Sequence, residues 1–268
     1  MKDKVVVITG ASSGIGKALA EVFGTAGSKL VLAARSAEKL KEIEQALTAR
    51  GVAVLTVPCD VSKEADCRNL VDRAVEKFGT IHVLINNAGI SMRALFADLD
   101  LDVLRQLMDT NFWGAVYCTK YAMPFLLSNK GSVVGVSSIA GKKGLPGRTG
   151  YSASKFALEG FLETLRTENL KKDLHVLVAC PGFTRSGIRS TALSKDGTVQ
   201  GESPRDEQKM MQPEEVAAHI YEAVLGRKRD LVLTANGKLT VWLNKFFPAM
   251  MDRMVYKHMA KEPDSPFT

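Results

Sequence analysis

Cysteine is scarce: four thiols, at 59, 67, 118 and 180, stand in 268 residues. They are too few and too scattered for a disulfide scaffold. No CxxC or Cys/His metal spacing occurs, so no metal site is expected. Reduced thiols in a cytoplasmic compartment are the simple expectation. The four histidines, His82, His175, His219 and His258, are isolated and lack ligand spacing. Long apolar runs are absent as well; none approaches the roughly 18 residues of a membrane span. The first apolar run, Val5–Ile8, is short, whereas a secretory leader needs about 7–15, so no signal peptide is expected. Acidic residues are outnumbered, 29 Asp+Glu against 36 Lys+Arg, for a net charge of +7. The excess is not patterned for nucleic acid, because its densest run, Arg227-Lys228-Arg229, is short and sits between a helix and a strand. What the chain does have is 46% apolar residues, enough for a sizeable core, which excludes wholesale disorder.

The apolar pattern alternates strand and helix. Val5–Ile8 is a continuous apolar run, as expected of a strand buried on both faces of a parallel sheet. Further strands are expected at Leu30–Ala34, Val52–Val57, Val83–Ile85, Val133–Val136, Val176–Ala179 and Leu231–Leu233. Helices are expected at about Gly14–Ala26, Ala37–Ala49, Lys63–Phe78, Leu101–Leu127, Tyr151–Leu170 and Pro213–Leu225. In the Tyr151–Leu170 helix, Phe156, Leu158, Phe161, Leu162 and Leu165 supply the apolar face. The alternation predicts an α/β fold: one doubly wound Rossmann-type domain over 1–268, with about seven parallel strands flanked by helices. Polar, weakly periodic sequence over 183–212 reads as a lid over the substrate site.

The first turn carries Gly10, Ser12, Ser13, Gly14, Ile15 and Gly16 between a strand and a helix. Its glycines permit tight turning and close approach of backbone to a diphosphate, which a helix N-terminus favours electrostatically. The spacing is Gly-x3-Gly-x-Gly rather than the common dinucleotide fingerprint. Arg35, with Ser36 beside it, ends the second strand 19 residues after Gly16. NAD-binding folds place an acid there for the ribose 2′-hydroxyl; a cation suits a 2′-phosphate. NADP(H) is therefore expected over NAD(H).

With these motifs stand Asp60-Val61, Asn86-Asn87-Ala88-Gly89, Asn111, Ser138, Tyr151-Ser152-Ala153-Ser154-Lys155 and Pro181-Gly182-Phe183-Thr184. In that order and on those strand ends, they make the chain resemble the classical short-chain dehydrogenase/reductase (SDR) family over roughly residues 4–235. The resemblance implies that Asp60 and Val61 lie near the adenine. It places Asn87, Ala88 and Gly89 by the adenosine ribose, and Pro181, Gly182, Phe183 and Thr184 over the nicotinamide. It also implies that Lys155 binds the nicotinamide ribose, that Asn111 holds a relay water, and that the chain is a homo-oligomer, a tetramer or dimer.

Tyr151 and Lys155 are four apart in a predicted helix and share a face. A nearby ammonium, with an oxidised nicotinamide ring, favours a phenolate and lowers the tyrosine pKa, so Tyr151 is expected to serve as general acid or base toward an alcohol or carbonyl. Ser138, 13 residues before Tyr151, is placed to donate to the same substrate oxygen. Carbonyl–alcohol interconversion by hydride transfer is the expected activity. A 3-oxoacyl-thioester (acyl carrier protein) reductase and a non-catalytic NADP(H)-binding scaffold are the alternatives.

The segment 237–268 extends beyond the shorter members of that family. Trp242-Leu243, Phe246-Phe247, Met250-Met251 and Met254-Val255 recur every four residues, with Lys245, Arg253 and Lys257 between them. This is an apolar helical stripe restarted at Pro248. It is expected to pack on the body or a subunit partner, or to rest on a membrane surface. Tail and lid together resemble carbonyl reductases of the family that act on steroid- or retinoid-like lipids, which implies a lipid-like substrate.

Overall fold

The computed structural model describes residues 1–203, 206–263 and 265–267, and of Lys209 the backbone alone. Positions 204 and 205 of the expected lid, and 264 and 268 of the extension, lie outside the described residues.

Seven strands form one parallel sheet in the order β3-β2-β1-β4-β5-β6-β7. They are β1 Val5–Thr9, β2 Lys29–Ala34, β3 Val54–Pro58, β4 Val83–Asn86, β5 Ser132–Val136, β6 His175–Cys180 and β7 Asp230–Val232. The third strand starts two residues later than the sequence suggests. It admits Pro58 because it is an edge, where a missing N–H costs no ladder bond.

Helices α1 Gly14–Thr25, α2 Ala37–Thr48 and α7 Pro213–Leu225 cover one face; α3 Glu64–Phe78, α5 Gly114–Ser128 and α6 Thr149–Glu168 cover the other. Each strand divides its apolar residues between the faces. Val6 and Ile8 of β1 join Leu19 and Phe23 of α1 in one core, while Val5 and Val7 join Leu70 of α3 and Leu126 of α5 in the other. Fully buried Phe23 meets Tyr221 of α7 edge-on at 5.1 Å.

Three sequence expectations change. The long helix expected at Leu101–Leu127 is α4 Leu101–Met108, a wider π-turn over Asp109–Trp113, and α5. Phe156 is exposed rather than part of the buried face of α6, which is made by Leu158, Leu162 and Leu165. The C-terminal pairs split between two faces. In α8 Ala235–Phe246 and α9 Pro248–Met259, Met251, Val255 and Met259 pack against Leu145, Leu243 and Phe267. Trp242, Phe246, Met250 and Met254, the first of each pair, face solvent, as does Phe247 at the junction. Among the described residues no helix is long and apolar enough to cross a membrane.

The 183–212 segment is pinned at both ends. Arg185 N donates to Met211 O and Met211 N to Phe183 O, at 2.9 and 3.2 Å. Midway, Leu193 N donates to Ser91 O and Arg93 N to Leu193 O, at 2.9 and 2.8 Å.

Candidate active site

The sheet reverses winding between β1 and β4, and ligands of open α/β sheets bind outside the strand C-termini at such a point. Buried Thr9 ends β1 there, and its Oγ1 accepts Asn87 N and Ala88 N, both at 3.1 Å. Asn87 Nδ2 donates to the carbonyls of Thr9 and Gly10 at 3.0 and 3.2 Å. The two loops thereby become one rigid edge. Gly10 has φ +65°, and a side chain at Gly16 would overlap the Gly10 carbonyl. The turn is thus closed too tightly for any residue but glycine at 16.

The α1 N-terminus opens onto this edge. Ser13, its N-cap, makes no side-chain capping bond, and the first turn, with Gly14, Ile15 and Gly16, holds no acid. Unused amide donors at the positive end of a helix dipole fit a phosphate. Half-buried Ser12 lies in the same turn, and Arg35 stands exposed at the end of β2. The Ser36 hydroxyl instead caps α2, accepting Lys39 N at 3.3 Å and donating to Glu38 at 3.2 Å. Asp60 is held in a tight turn by Ser62 Oγ at 2.7 Å, and Val61 packs closely under Gly114. These donors and cradles fit a nucleotide diphosphate.

The catalytic candidates converge further along the edge. Half-buried Tyr151 brings its phenol against Ser138, which begins the loop after β5. Lys155 Nζ lies 5.8 Å from the Tyr151 ring centroid and donates to Val136 O at 2.9 Å. Asn111, in the π-turn, accepts Ile90 N at 2.8 Å and donates to Ile90 O and Ser154 Oγ, both at 2.9 Å. A side chain on Gly89 would come 3.2 Å from Asn111 Oδ1 and 3.4 Å from Lys155 Nζ. Pro181, Gly182 and Phe183 run out from β6, with Gly182 close under Thr234, and Thr184 is buried with its hydroxyl on Gly182 O at 3.2 Å.

Burial dominates the electrostatics of this pair. Burial holds the Tyr151 phenol above its ordinary value; the Ser138 hydrogen bond and the Arg189 and Arg148 charges only partly offset it. The sequence expectation is a value lowered by Lys155 together with an oxidised nicotinamide ring. In the structure the phenol has left water, and that effect is larger. The same burial lowers Lys155 to about 8.

Sequence reasoning missed Thr9 and Glu159. Each has a signal: a hydroxyl ending an apolar strand, and an acid four residues past Lys155 inside an apolar helical stripe. It also missed that Arg189, within the 183–212 segment, reaches back to the Thr184 carbonyl and to Glu207, the latter at 3.1 Å. Arg93 and Arg148 converge on buried Glu262 at 3.6 and 3.5 Å, tying the C-terminus to the mouth of the site. All four cysteines are buried free thiols, and no metal cluster occurs among the described residues.

The fold and site define an oxidoreductase class. The family model described as short chain dehydrogenase matches residues 4–197, and the chain belongs to that family. Dehydrogenase/reductase SDR family member 7B of Bos taurus is 37% identical over 273 residues, covering 99% of this chain and 84% of that protein. 11-beta-hydroxysteroid dehydrogenase A of Sesamum indicum is also 37% identical, covering 97% and 78%. Among solved structures, a short chain dehydrogenase/reductase from Burkholderia phymatum in complex with NAD superposes with TM-score 0.82 at 27% identity, covering 93% and 95% of the two chains. An alcohol dehydrogenase from Thermococcus sibiricus complexed with 5-hydroxy-NADP gives 0.77 at 26%, covering 87% and 96%.

Proposed function

We propose that the chain interconverts a carbonyl and a secondary alcohol with NADP(H), Tyr151 acting as general acid/base. The observation that carries the reading is the convergence of the Tyr151 phenol on Ser138, with Lys155 Nζ 5.8 Å from the Tyr151 ring one turn on. When bound, the nicotinamide supplies or accepts the hydride. The chain's own task is the proton. A phenol held above its ordinary value keeps its proton at neutral pH, which is the form that donates to a carbonyl oxygen. The Ser138 hydroxyl donates to the same oxygen as negative charge develops. Lys155 supplies positive charge beneath the phenol, and Asn111 fixes the Ile90 backbone beside it. Ile90 and Leu104, like Tyr151, are the part-buried members of one apolar cluster, which favours a substrate with an apolar, lipid-like body.

NADP(H) is favoured over NAD(H) by exposed Arg35 at the end of β2, where the 2′-substituent falls in this fold. The two structural neighbours carry NAD in one case and an NADP analogue in the other, so the choice rests on Arg35. Side-by-side fluorescence titration with NADPH and NADH tests it. The expected result is tighter NADPH binding that R35A abolishes; equal affinities overturn it. A carbonyl panel, 3-oxoacyl thioesters included, tests the chemistry: turnover surviving in Y151F refutes the role of Tyr151.

Two surfaces support the partners proposed here. Trp113, stacked on Tyr117 at 5.6 Å, and Phe156 are both exposed, which suits a second copy. The outer face of α8–α9 suits an anionic lipid surface. Trp242 and Phe246 are 55% and 62% exposed there, and over 235–261 five Lys/Arg accompany one acid, Asp252, which pairs with Lys143. Two copies meeting through that face would repel. In a W113F background, Trp242 fluorescence should respond to phosphatidylserine vesicles and not to phosphatidylcholine alone. No response to either refutes the lipid reading.

A further inference from the structure

Glu159 is an acid where a helix ordinarily buries an apolar residue. It lies on α6 one turn past Lys155 and two past Tyr151, and is only 9% exposed. Its carboxylate takes three donors. Oε1 accepts Ser137 Oγ at 2.6 Å and Cys180 Sγ at 3.4 Å; Oε2 accepts Lys142 Nζ at 2.7 Å. A side chain at Gly141 would overlap Oε1, so the turn Ile139–Gly141 closes directly onto the carboxylate.

What these donors adjoin gives the arrangement its meaning. Ser137 precedes Ser138, and Cys180 ends β6 just before Pro181. One buried carboxylate therefore gathers the ends of β5 and β6 and the turn between Ser138 and Lys142. Such a group is a poor device for stability alone, since a buried ion pair is often replaced by apolar residues at no loss. We propose that Glu159 is a positioning residue for the reaction, tying Ser138 and the Pro181-Gly182 corner in register with Tyr151 and supplying the negative charge that keeps Lys155 an ammonium. The proposal rests on the reading of Tyr151 and Ser138 given above.

The charged and titratable groups around it are few. Lys142 faces the carboxylate from the turn after β5 and Cys180 from β6, and the charge of Asp230 on β7 reaches both of them. Tyr151 and Lys155 lie behind it on α6, with Arg148 and Arg189 on the phenol side. Cys180 and then Glu159 oppose burial at Lys155; burial pushes the Cys180 thiol up and keeps it neutral, so of the two Glu159 is the anion. Removing that charge weakens the ammonium and with it the phenolate of Tyr151.

The test compares wild type, E159Q, S137A and Y151F in alcohol oxidation across pH. E159Q is expected to move the limb governed by the phenolate upward by about one pH unit, about a tenfold loss of kcat below the limb. The KM for the nucleotide should stay within about twofold, because the interaction acts on the chemical step. S137A, which cuts one tether and keeps the charge, should lower kcat without moving the limb. A folded E159Q with the wild-type limb and kcat overturns the proposal. If E159Q does not fold, E159Q/K142M removes both charges and is judged by the same limb. Should wild type turn over nothing, the functional reading falls, and the near-ultraviolet phenolate titration of Tyr151, taken as wild type minus Y151F, still decides Glu159. A phenolate transition unmoved by E159Q then overturns it.

Discussion

Lys155 pays for its place in the site, and replacing it should make the protein more stable and less active. Burial lowers its ammonium from 10.5 to about 8. A shift of that size corresponds to about 3 kcal/mol of charge burial. The sign follows from linkage. A folded-state value below the unfolded one means stability is greatest above 10.5 and is lost as pH falls toward 8. Below 8 the full cost is present. K155M keeps the stem volume and removes the charge, but leaves Val136 O without its 2.9 Å donor, a loss of about 1–3 kcal/mol. At pH 7 the two terms leave K155M stabilised by about 1 kcal/mol. Urea unfolding of both proteins from pH 7 to 11 tests this. The stability difference between K155M and the protein with Lys155 intact should change by about 3 kcal/mol across the range, K155M losing its advantage at alkaline pH. For this comparison both proteins carry Y151F, because Tyr151 would otherwise lose its neighbouring cation in K155M and titrate differently; the remaining groups are common to both and cancel. A difference flat in pH would mean that Lys155 is not a buried cation, and the reasoning would fail. Carbonyl turnover of K155M should fall by at least about a hundredfold at pH 7.

The remaining predictions concern fold and cofactor. G16A forces a methyl onto the Gly10 carbonyl; isothermal titration should show nucleotide binding lost while the sheet's circular dichroism persists. F23A empties a fully buried site against Tyr221 and should cost about 3–5 kcal/mol by denaturant melt. E262A leaves Arg93 and Arg148 without the carboxylate they share; limited proteolysis should then release the C-terminal segment sooner than in wild type. His82 and His175 both sit below the ordinary imidazole value of 6.5, burial being the first cause in each. Stability is therefore full above 6.5 and falls as pH drops through their folded values, and an acid unfolding profile of H175Q should be shallower than that of wild type.

Much of the fold is readable in the chain because a doubly wound sheet buries its strands on both faces. Val5–Ile8 and Val176–Ala179 are then unbroken apolar runs, with Gly10 and Pro181 marking where each stops. The site motifs are readable for a related reason: they sit at strand ends, so chain order gives spatial order. The π-turn at Asn111 is not readable, since its residues carry a helical pattern throughout. Nor is the division of the tail, because Trp242 and Leu243 are equally apolar in sequence. Which one faces the body depends on where α8 and α9 meet Leu145, far away in the chain.

Tyr151 is the most instructive case, because spacing correctly brought Lys155 to the tyrosine and left burial out of account. A pair four apart on a helix says that a cation is near; it says nothing of what closes over both. Here Ser138 and the cationic pair Arg148 and Arg189 surround the phenol, while Glu159 sits beyond Lys155. Desolvation raises the acid and lowers the base, so each drifts toward its neutral form. That leaves the proton on Tyr151 and a weakly held one on Lys155, which is a site loaded to give a proton. At Lys155 that drift is opposed by Cys180 and Glu159, which favour the ammonium.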